Sequence, residues 1–489
     1  ASGSSPGGSA RIVASDDGTV EVIVGARTLC ALAPTGPVAR TFDDVWGNIG
    51  AKTITRFNEA TDPMAVQSVE NTDNGAILEY ANANGSRTAR LEAIVVDDEF
   101  SEFKLEVAGT PADSMAVGIR CDEGGTFHGF GLQYNATNQR GEKFQLFVND
   151  QGAGRDGGVG INRGDAHTTY FPMPYYVDAR GFGALFITDA RTNVDLCATD
   201  ANIAWMEVIT GGAVQGRVFH GPTALDVIRQ LGDLTGRPKP PPAWAYGLWL
   251  ASQGGREAVL ADVAALEAAG IPASALWVQD WTGIRPNQEG GFGVQYLWDA
   301  KQQCSNPDDV CYPSLAEMID GLHEDGYKFL AYTNPFIVDP DSVEPEQLDD
   351  RFAARFDPME AMGFLVNDQE GETYIDAEVA NFPQLDAHPD FSRVETADFI
   401  RNALVSFVEK YGIDGWMADF GEYIPPESFH ADGSNAEERR NTFPVDWARV
   451  NSEALAQAHP DGEWAMISRS GFTNVQGHAQ IHWVGDQQT

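Results

Sequence analysis

No run in this chain approaches the roughly eighteen consecutive apolar residues that a membrane-spanning helix needs, so none reads as one. Positive charge is scarce as well. The 32 Lys and Arg stand against 72 Asp and Glu, a net charge of −40. That balance excludes nucleic acid and anionic membrane as electrostatic partners. It also disfavours long-range attraction of anionic substrates, although one local Arg can override it. Arg greatly outnumbers Lys, and an acid-rich, Lys-poor surface implies a salty habitat. Cysteine is sparse and odd in number, at Cys30, Cys121, Cys197, Cys304 and Cys311. No spacing among them resembles a zinc site, and no metal or cofactor is expected. Cys304 and Cys311 flank a polar loop and are read as closing a small disulfide or as free thiols.

What is present is the makeup of a globular protein. At 489 residues, 43% of them hydrophobic and 10% aromatic, the chain predicts two or three domains with sizeable cores. Residues 1–10 are Ser- and Gly-rich and start without Met. They read as a flexible lead-in left after removal of a signal segment, so a secreted or periplasmic location is expected, with a cytoplasmic one as the alternative.

From 11 to 222 the pattern is short alternating runs between turn residues, such as Thr19-Val-Glu-Val-Ile-Val, Ala76-Ile-Leu-Glu-Tyr and Phe103-Lys-Leu-Glu-Val. Period-two alternation of this kind predicts an all-β region, an N-terminal β-sandwich. Residues 223–242, a helical stretch running into a Pro cluster, are read as a linker.

After it the rhythm becomes strand, helix, strand, helix, which predicts a parallel sheet with crossover helices. The fold class expected is therefore α/β plus all-β, with a (β/α)8-type barrel over 243–489. Only about six strands are countable, near 246, 275, 327, 413, 464 and 481, where a closed barrel has eight. Two strands left unpaired at their edges are costly. The remainder of the same gene product is expected to supply the missing units. The acidic, irregular piece 339–390 reads as an insertion that shapes a site.

Two strand ends carry the chemistry. In Ile413-Asp-Gly-Trp-Met-Ala-Asp-Phe-Gly-Glu an apolar run ends on Asp419, with Glu422 three residues later. A barrel presents catalytic groups at the C-terminal tips of its strands. A lone Asp there is equally a helix N-cap. The second motif, Ile481-His-Trp-Val-Gly-Asp, repeats the pattern and ends on Asp486. Two strand-end aspartates in one barrel can serve as nucleophile and acid/base for glycoside hydrolysis.

The motifs resemble those of glycoside hydrolase family 31, over about Phe127 to Asp486. Gly415-Trp-Met-Ala-Asp-Phe-Gly-Glu-Tyr is similar to the nucleophile motif, Ile467-Ser-Arg-Ser-Gly to a fifth-strand motif, and Trp483-Val-Gly-Asp-Gln to the acid/base motif. The resemblance implies a retaining α-glycosidase acting on carbohydrate, with Asp419 as nucleophile and Asp486 as acid/base, the two carboxyls about 5–5.5 Å apart. It implies that Arg469 binds a sugar hydroxyl and stabilises the ionised nucleophile; a structural ion pair with Asp or Glu is the alternative. It also implies that Glu422 holds the nucleophile loop. Trp416 and Trp483 are read as walls of the site or, equally, as core packing.

Within the family, the nearest resemblance is to the sulfoquinovosidases. Gln253, Gln279 and Trp298 fit three members of their sulfonate-binding set. The fourth, an Arg, is replaced by Gln295, a neutral group where a forked cation is wanted. Arg285, in the same loop, is the candidate substitute. Plain α-glucosidases carry acids at the first two strand tips, where this chain offers Gln253 and Gln279-Asp280. The competing reading is a non-catalytic carbohydrate-binding relative, or one half of a split enzyme.

Overall fold

The computed structural model describes residues 10–47, 53–150, 165–286, 292–294, 298–304, 309–343, 350–376 and 385–485. The chain divides into two compact units. One comprises 1–159 with 163–237, and the other 238–489 with 160–162.

The first unit is a large antiparallel β region of sixteen strands. Its strands alternate as their sequences require. In Gly75–Asn82, Leu78 and Tyr80 are buried, while Ile77 and Glu79 are half-exposed. Thr53–Asn71 is long enough to pair with Val38–Gly47 through its first half and with Gly75–Asn82 through its second. Leu78, Leu91, Leu105, Val117, Phe130, Phe144 and Met206 meet in one apolar core. A disulfide joins Cys121 to Cys197 on this unit, a pairing that sequence spacing did not suggest.

The stretch expected as a linker contains a helix, Ala224–Thr235, grouped with this first unit. Thr223 and Asp226 form a capping box at its start. Its Val227 is fully buried, and the Tyr175 hydroxyl donates to the Val227 carbonyl at 3.5 Å.

The second unit is built on six parallel strands: β1 (Trp249–Ala251), β2 (Ala275–Trp277), β3 (Lys328–Thr333), β4 (Gly415–Ala418), β5 (Ala465–Ser468) and β6 (Ile481–His482). They pair in sequence order. Closure of an eight-stranded barrel requires two more. The helices are α1 (Arg256–Ala268), α2 (Leu315–Glu324), α3 (Asp350–Ala361), α4 (Val394–Tyr411) and α5 (Phe443–Ala458).

Strand lengths are short because Gly and polar residues bound each apolar run. The first strand was expected from Tyr246, but Ala243–Tyr246 forms a 3₁₀ turn after Pro242, so β1 begins at Trp249. Helix α3 lies inside the stretch read as irregular. Its internal Pro358 and polar composition hid it from pattern reading.

Asp414, just before β4, anchors the sheet's N-terminal side. It accepts from His323 Nε2 at 2.6 Å, Lys328 Nζ at 2.8 Å and the Phe329 N–H at 2.9 Å. Cys304 and Cys311 are joined by a disulfide, and Cys30 is a buried free thiol. Among the described residues no helix is long and apolar enough to cross a membrane.

Candidate active site

Register alone selects the row of residues at the sheet's C-terminal tips. On β3 and β4, Tyr332 lies opposite Met417; on β4 and β5, Met417 lies opposite Ile467. Side chains two residues apart on a strand share a face. Asp419, two past Met417, and Arg469, two past Ile467, therefore fall on the same side as Tyr332. Carried two residues past the ends of β1 and β2, the register sets Gln253 level with Gln279.

The contacts agree. Asp419 is 6% exposed and continues the ladder past β4, its N–H donating to the Thr333 carbonyl at 2.9 Å. The Tyr332 hydroxyl donates to Asp419 Oδ2 at 2.7 Å. Arg469 Nη1 lies 3.5 Å from Asp419 Oδ1, and Nη2 donates to Glu422. Ser470 Oγ donates to the other Glu422 oxygen. Glu422 is wholly buried. Its position three residues after Asp419 thus serves to share Arg469 and to fix the loop between them.

The backbone after Asp419 turns sharply. Phe420 has φ of +60°, a left-handed conformation uncommon for an aromatic residue. Surrounding contacts hold it there: the Arg469 guanidinium lies 4.1 Å over its ring, and Phe336 and Tyr423 pack edge-on. Gly421 follows with φ of +117°, and a Cβ there would meet Pro444 at 3.0 Å. Trp447 Nε1 donates to the Asp419 carbonyl at 3.1 Å, fixing the same turn from α5. Behind it Arg440 donates to the Ile424 carbonyl at 3.0 Å. Burial pulls the Arg440 guanidinium down to about 10, against the opposing pull of Glu422.

At the first two tips, Gln253 Nε2 donates to Gln279 Oε1 at 2.8 Å, an amide pair open to solvent on the Gln253 side. Asp280, 1% exposed, is engaged elsewhere. It accepts from the Gly254 N–H at 2.7 Å and from the Tyr312 hydroxyl. Burial raises its carboxyl, and those two bonds partly offset the rise. Asp280 thus ties the β1 tip to the β2 tip and to the loop before α2. Trp298 is 3% exposed, donates to the Asn334 carbonyl at 2.8 Å and stacks on Trp447. Trp416 is buried in β4, facing away from Asp419 by strand alternation. Trp483 is half-buried, its N–H donating to the Ser468 carbonyl at 2.9 Å.

Three expected residues lack a described side chain. Asp486 and Gln295 lie outside the described residues. Of Arg285 only the backbone is described, paired with Gly293 in the hairpin Ile284–Pro286/Phe292–Val294. Sequence reading missed Tyr332, Ser470, Tyr312 and Trp447. Each is a residue type that patterning assigns to core or loop, and only strand register could have singled out Tyr332.

A model for the glycosyl hydrolases family 31 TIM-barrel domain matches residues 238–489. The chain belongs to glycoside hydrolase family 31. Among curated relatives, the sulfoquinovosidase of Escherichia coli (strain K12) is 29% identical over 447 residues, covering 89% of this chain and 58% of its own length. The sulfoquinovosidase of Agrobacterium fabrum is 29% identical over 373 residues, covering 73% of this chain and 52% of its own length. The chain thus spans little more than half the length of these curated relatives. A solved family 31 sulfoquinovosidase from E. rectale, in complex with an aza-sugar inhibitor, shares the fold with a TM-score of 0.83 and 21% identity. The match covers 98% of this chain and 69% of that one.

Proposed function

We propose that this chain carries the catalytic groups of a retaining α-glycosidase acting on terminal, glucose-configured sugars. The observation that carries the reading is Asp419 itself: a buried carboxylate at a strand tip, gripped by Tyr332 and Arg469, in a family 31 chain. In the reaction an Asp419 oxygen bonds to the anomeric carbon as the glycosidic C–O bond breaks, and Asp486 gives its proton to the leaving oxygen. Water then attacks that carbon, the ester bond breaks back to the carboxylate, and Asp486 takes the water's proton. Arg469 stabilises the ionised nucleophile, and Glu422 fixes the geometry of both. The amide pair Gln253–Gln279 offers neutral donors and acceptors to the sugar. Because the chain spans only part of its relatives' length, the activity is assigned to the protein with its barrel closed.

Leaving-group dependence tests this. Asp486→Ala should slow substrates with poor leaving groups far more than activated aryl glycosides, since only the former need acid assistance. Equal loss on both types overturns the assignment of Asp486.

Two substrates compete within this reading. The sulfoquinovosidase relatives and the Gln253–Gln279 pair favour a sulfonated sugar, whereas the Trp298 indole N–H is already given to the Asn334 carbonyl. Gln295 in place of a cation, with a net charge of −40, favours an unmodified α-glucoside. Turnover of 4-nitrophenyl α-glucoside against 4-nitrophenyl α-sulfoquinovoside separates them. Preference for the sulfonate that disappears in Arg285→Ala assigns that cation the missing role. A non-catalytic carbohydrate-binding role is the outcome if neither is turned over by the complete protein. A secreted or periplasmic location is part of the proposal, and the two disulfides suit an oxidising compartment.

A further inference from the structure

Tyr332 is the penultimate residue of β3 and 2% exposed. Its main chain is fixed from behind, where Trp281 Nε1 donates to the Tyr332 carbonyl at 2.8 Å. The next residue, Thr333, accepts the Asp419 N–H on its carbonyl at 2.9 Å, and its Oγ1 bonds Asn451 Oδ1 at 3.1 Å. The phenol and the Asp419 carboxylate are thus carried on adjacent, cross-bonded strands, and a 2.7 Å O–H···O bond joins them. A bond of that length to an ionised acceptor is of the stronger, charge-assisted kind. It favours the carboxylate over its protonated form and over its ester, since only the carboxylate carries full charge.

We propose that Tyr332 is a positioning residue for the nucleophile, holding Asp419 ionised and aimed, and drawing charge back to it in the second half-reaction. This rests on the reading of Asp419 as nucleophile. In glycosylation an Asp419 oxygen forms the C–O bond and the carboxylate loses its charge. In deglycosylation that bond breaks and its electron pair returns to Asp419. The Tyr332 bond is strongest at the start and the end, so its loss slows ester breakdown more than ester formation. The charged and titratable groups about Asp419 include Tyr332 from β3, Arg469 following β5, and Glu422 from its own loop. Arg440 stands behind Glu422. Asp486 is the expected neighbour from beyond β6. Arg469 divides its guanidinium between two carboxylates, which leaves Tyr332 the closer donor to Asp419.

The test is Tyr332→Phe in the full chain of the active protein, with an aryl glycoside that the wild type turns over. Removing the donor raises the Asp419 pKa, so the acid limb of kcat/KM should move to higher pH by about one unit. At the plateau kcat should fall with KM, and a pre-steady-state burst should appear or grow as the glycosyl-enzyme accumulates. A merely structural tyrosine would lower the folded fraction and kcat while leaving the limb and KM in place. If thermal unfolding shows Tyr332→Phe to be misfolded, 3-fluorotyrosine at 332 decides, because its better donor should move the limb to lower pH. An unmoved limb in the folded variant overturns the proposal. Asp419→Asn separates the two readings. If it keeps full turnover, the nucleophile assignment fails. If it is inactive while the Tyr332 limb is unmoved, only the present inference fails.

Discussion

Arg469 pairs with Glu422 in complete burial, Nη2 on Oε1, while its Nη1 reaches to 3.5 Å from Asp419. One guanidinium thus links the candidate nucleophile to the residue that fixes its loop. Breaking such a pair strands a buried charge, which costs about 3–5 kcal/mol. Arg469→Ala should therefore abolish turnover and lower the denaturation midpoint. Glu422→Gln keeps the shape but removes the charge, so it should reduce turnover with a smaller loss of stability. Chemical unfolding and hydrolysis rates of the two variants, compared side by side, check both. Wild-type stability in Arg469→Ala contradicts the linkage.

The two disulfides should contribute unequally. By loop-closure entropy, cross-linking residues 76 apart is worth about 4.5 kcal/mol and residues 7 apart about 2.5 kcal/mol. Cys121→Ser/Cys197→Ser should lower the unfolding midpoint more than Cys304→Ser/Cys311→Ser. Burial pushes the Cys30 thiol up to about 12, so it should resist thiol reagents in the native protein. Thiol labelling mapped by peptide should find Cys30 unreactive when native and reactive when unfolded.

Acid sensitivity should trace to Asp414. Burial alone would raise its carboxyl, but bonds from His323, Lys328 and the Phe329 N–H outweigh that and hold it below 3.8. The unfolded chain then binds the proton first. The stabilisation is complete above the unfolded value and is lost as pH falls below 3.8 through the folded value. Asp414→Asn should lower stability at neutral pH and flatten its decline below pH 4. Unfolding midpoints across pH 2–7 measure this, and an unchanged slope excludes Asp414 as a contributor.

Part of the candidate site was legible in the sequence. Asp419 stood out because three apolar residues, Trp416, Met417 and Ala418, precede it, and a buried strand must end where its polarity changes. Arg469 was named through the resemblance of Ile467-Ser-Arg-Ser-Gly to a family motif. Tyr332 did not stand out, because an aromatic residue near the end of an apolar strand looks like core, and its hydroxyl matters only once β3 is set in register with β4. The pairing of Cys121 with Cys197 left no local trace, since it depends on strands far apart in sequence. Helix α3 was hidden by Pro358, and the bonds of Asp280 to Tyr312 and Gly254 join loops that the sequence does not set side by side.

Salt dependence follows from the charge of −40. Mutual repulsion among surface carboxylates is screened by added salt, with a Debye length near 3 Å at 1 M. Turnover and unfolding temperature should therefore hold or rise into molar salt. A sharp loss of activity there contradicts the expectation of a salt-adapted surface.

The most direct test is to trap the covalent intermediate. The active protein is treated with a fluorinated glycosyl fluoride of the preferred sugar, which forms the ester readily but releases it slowly. The digest is then mapped by mass spectrometry. The account predicts one added sugar per chain, on the peptide bearing Asp419, and none in Asp419→Asn. A label on another carboxylate, or no label while Asp419→Asn still turns over substrate, would contradict it.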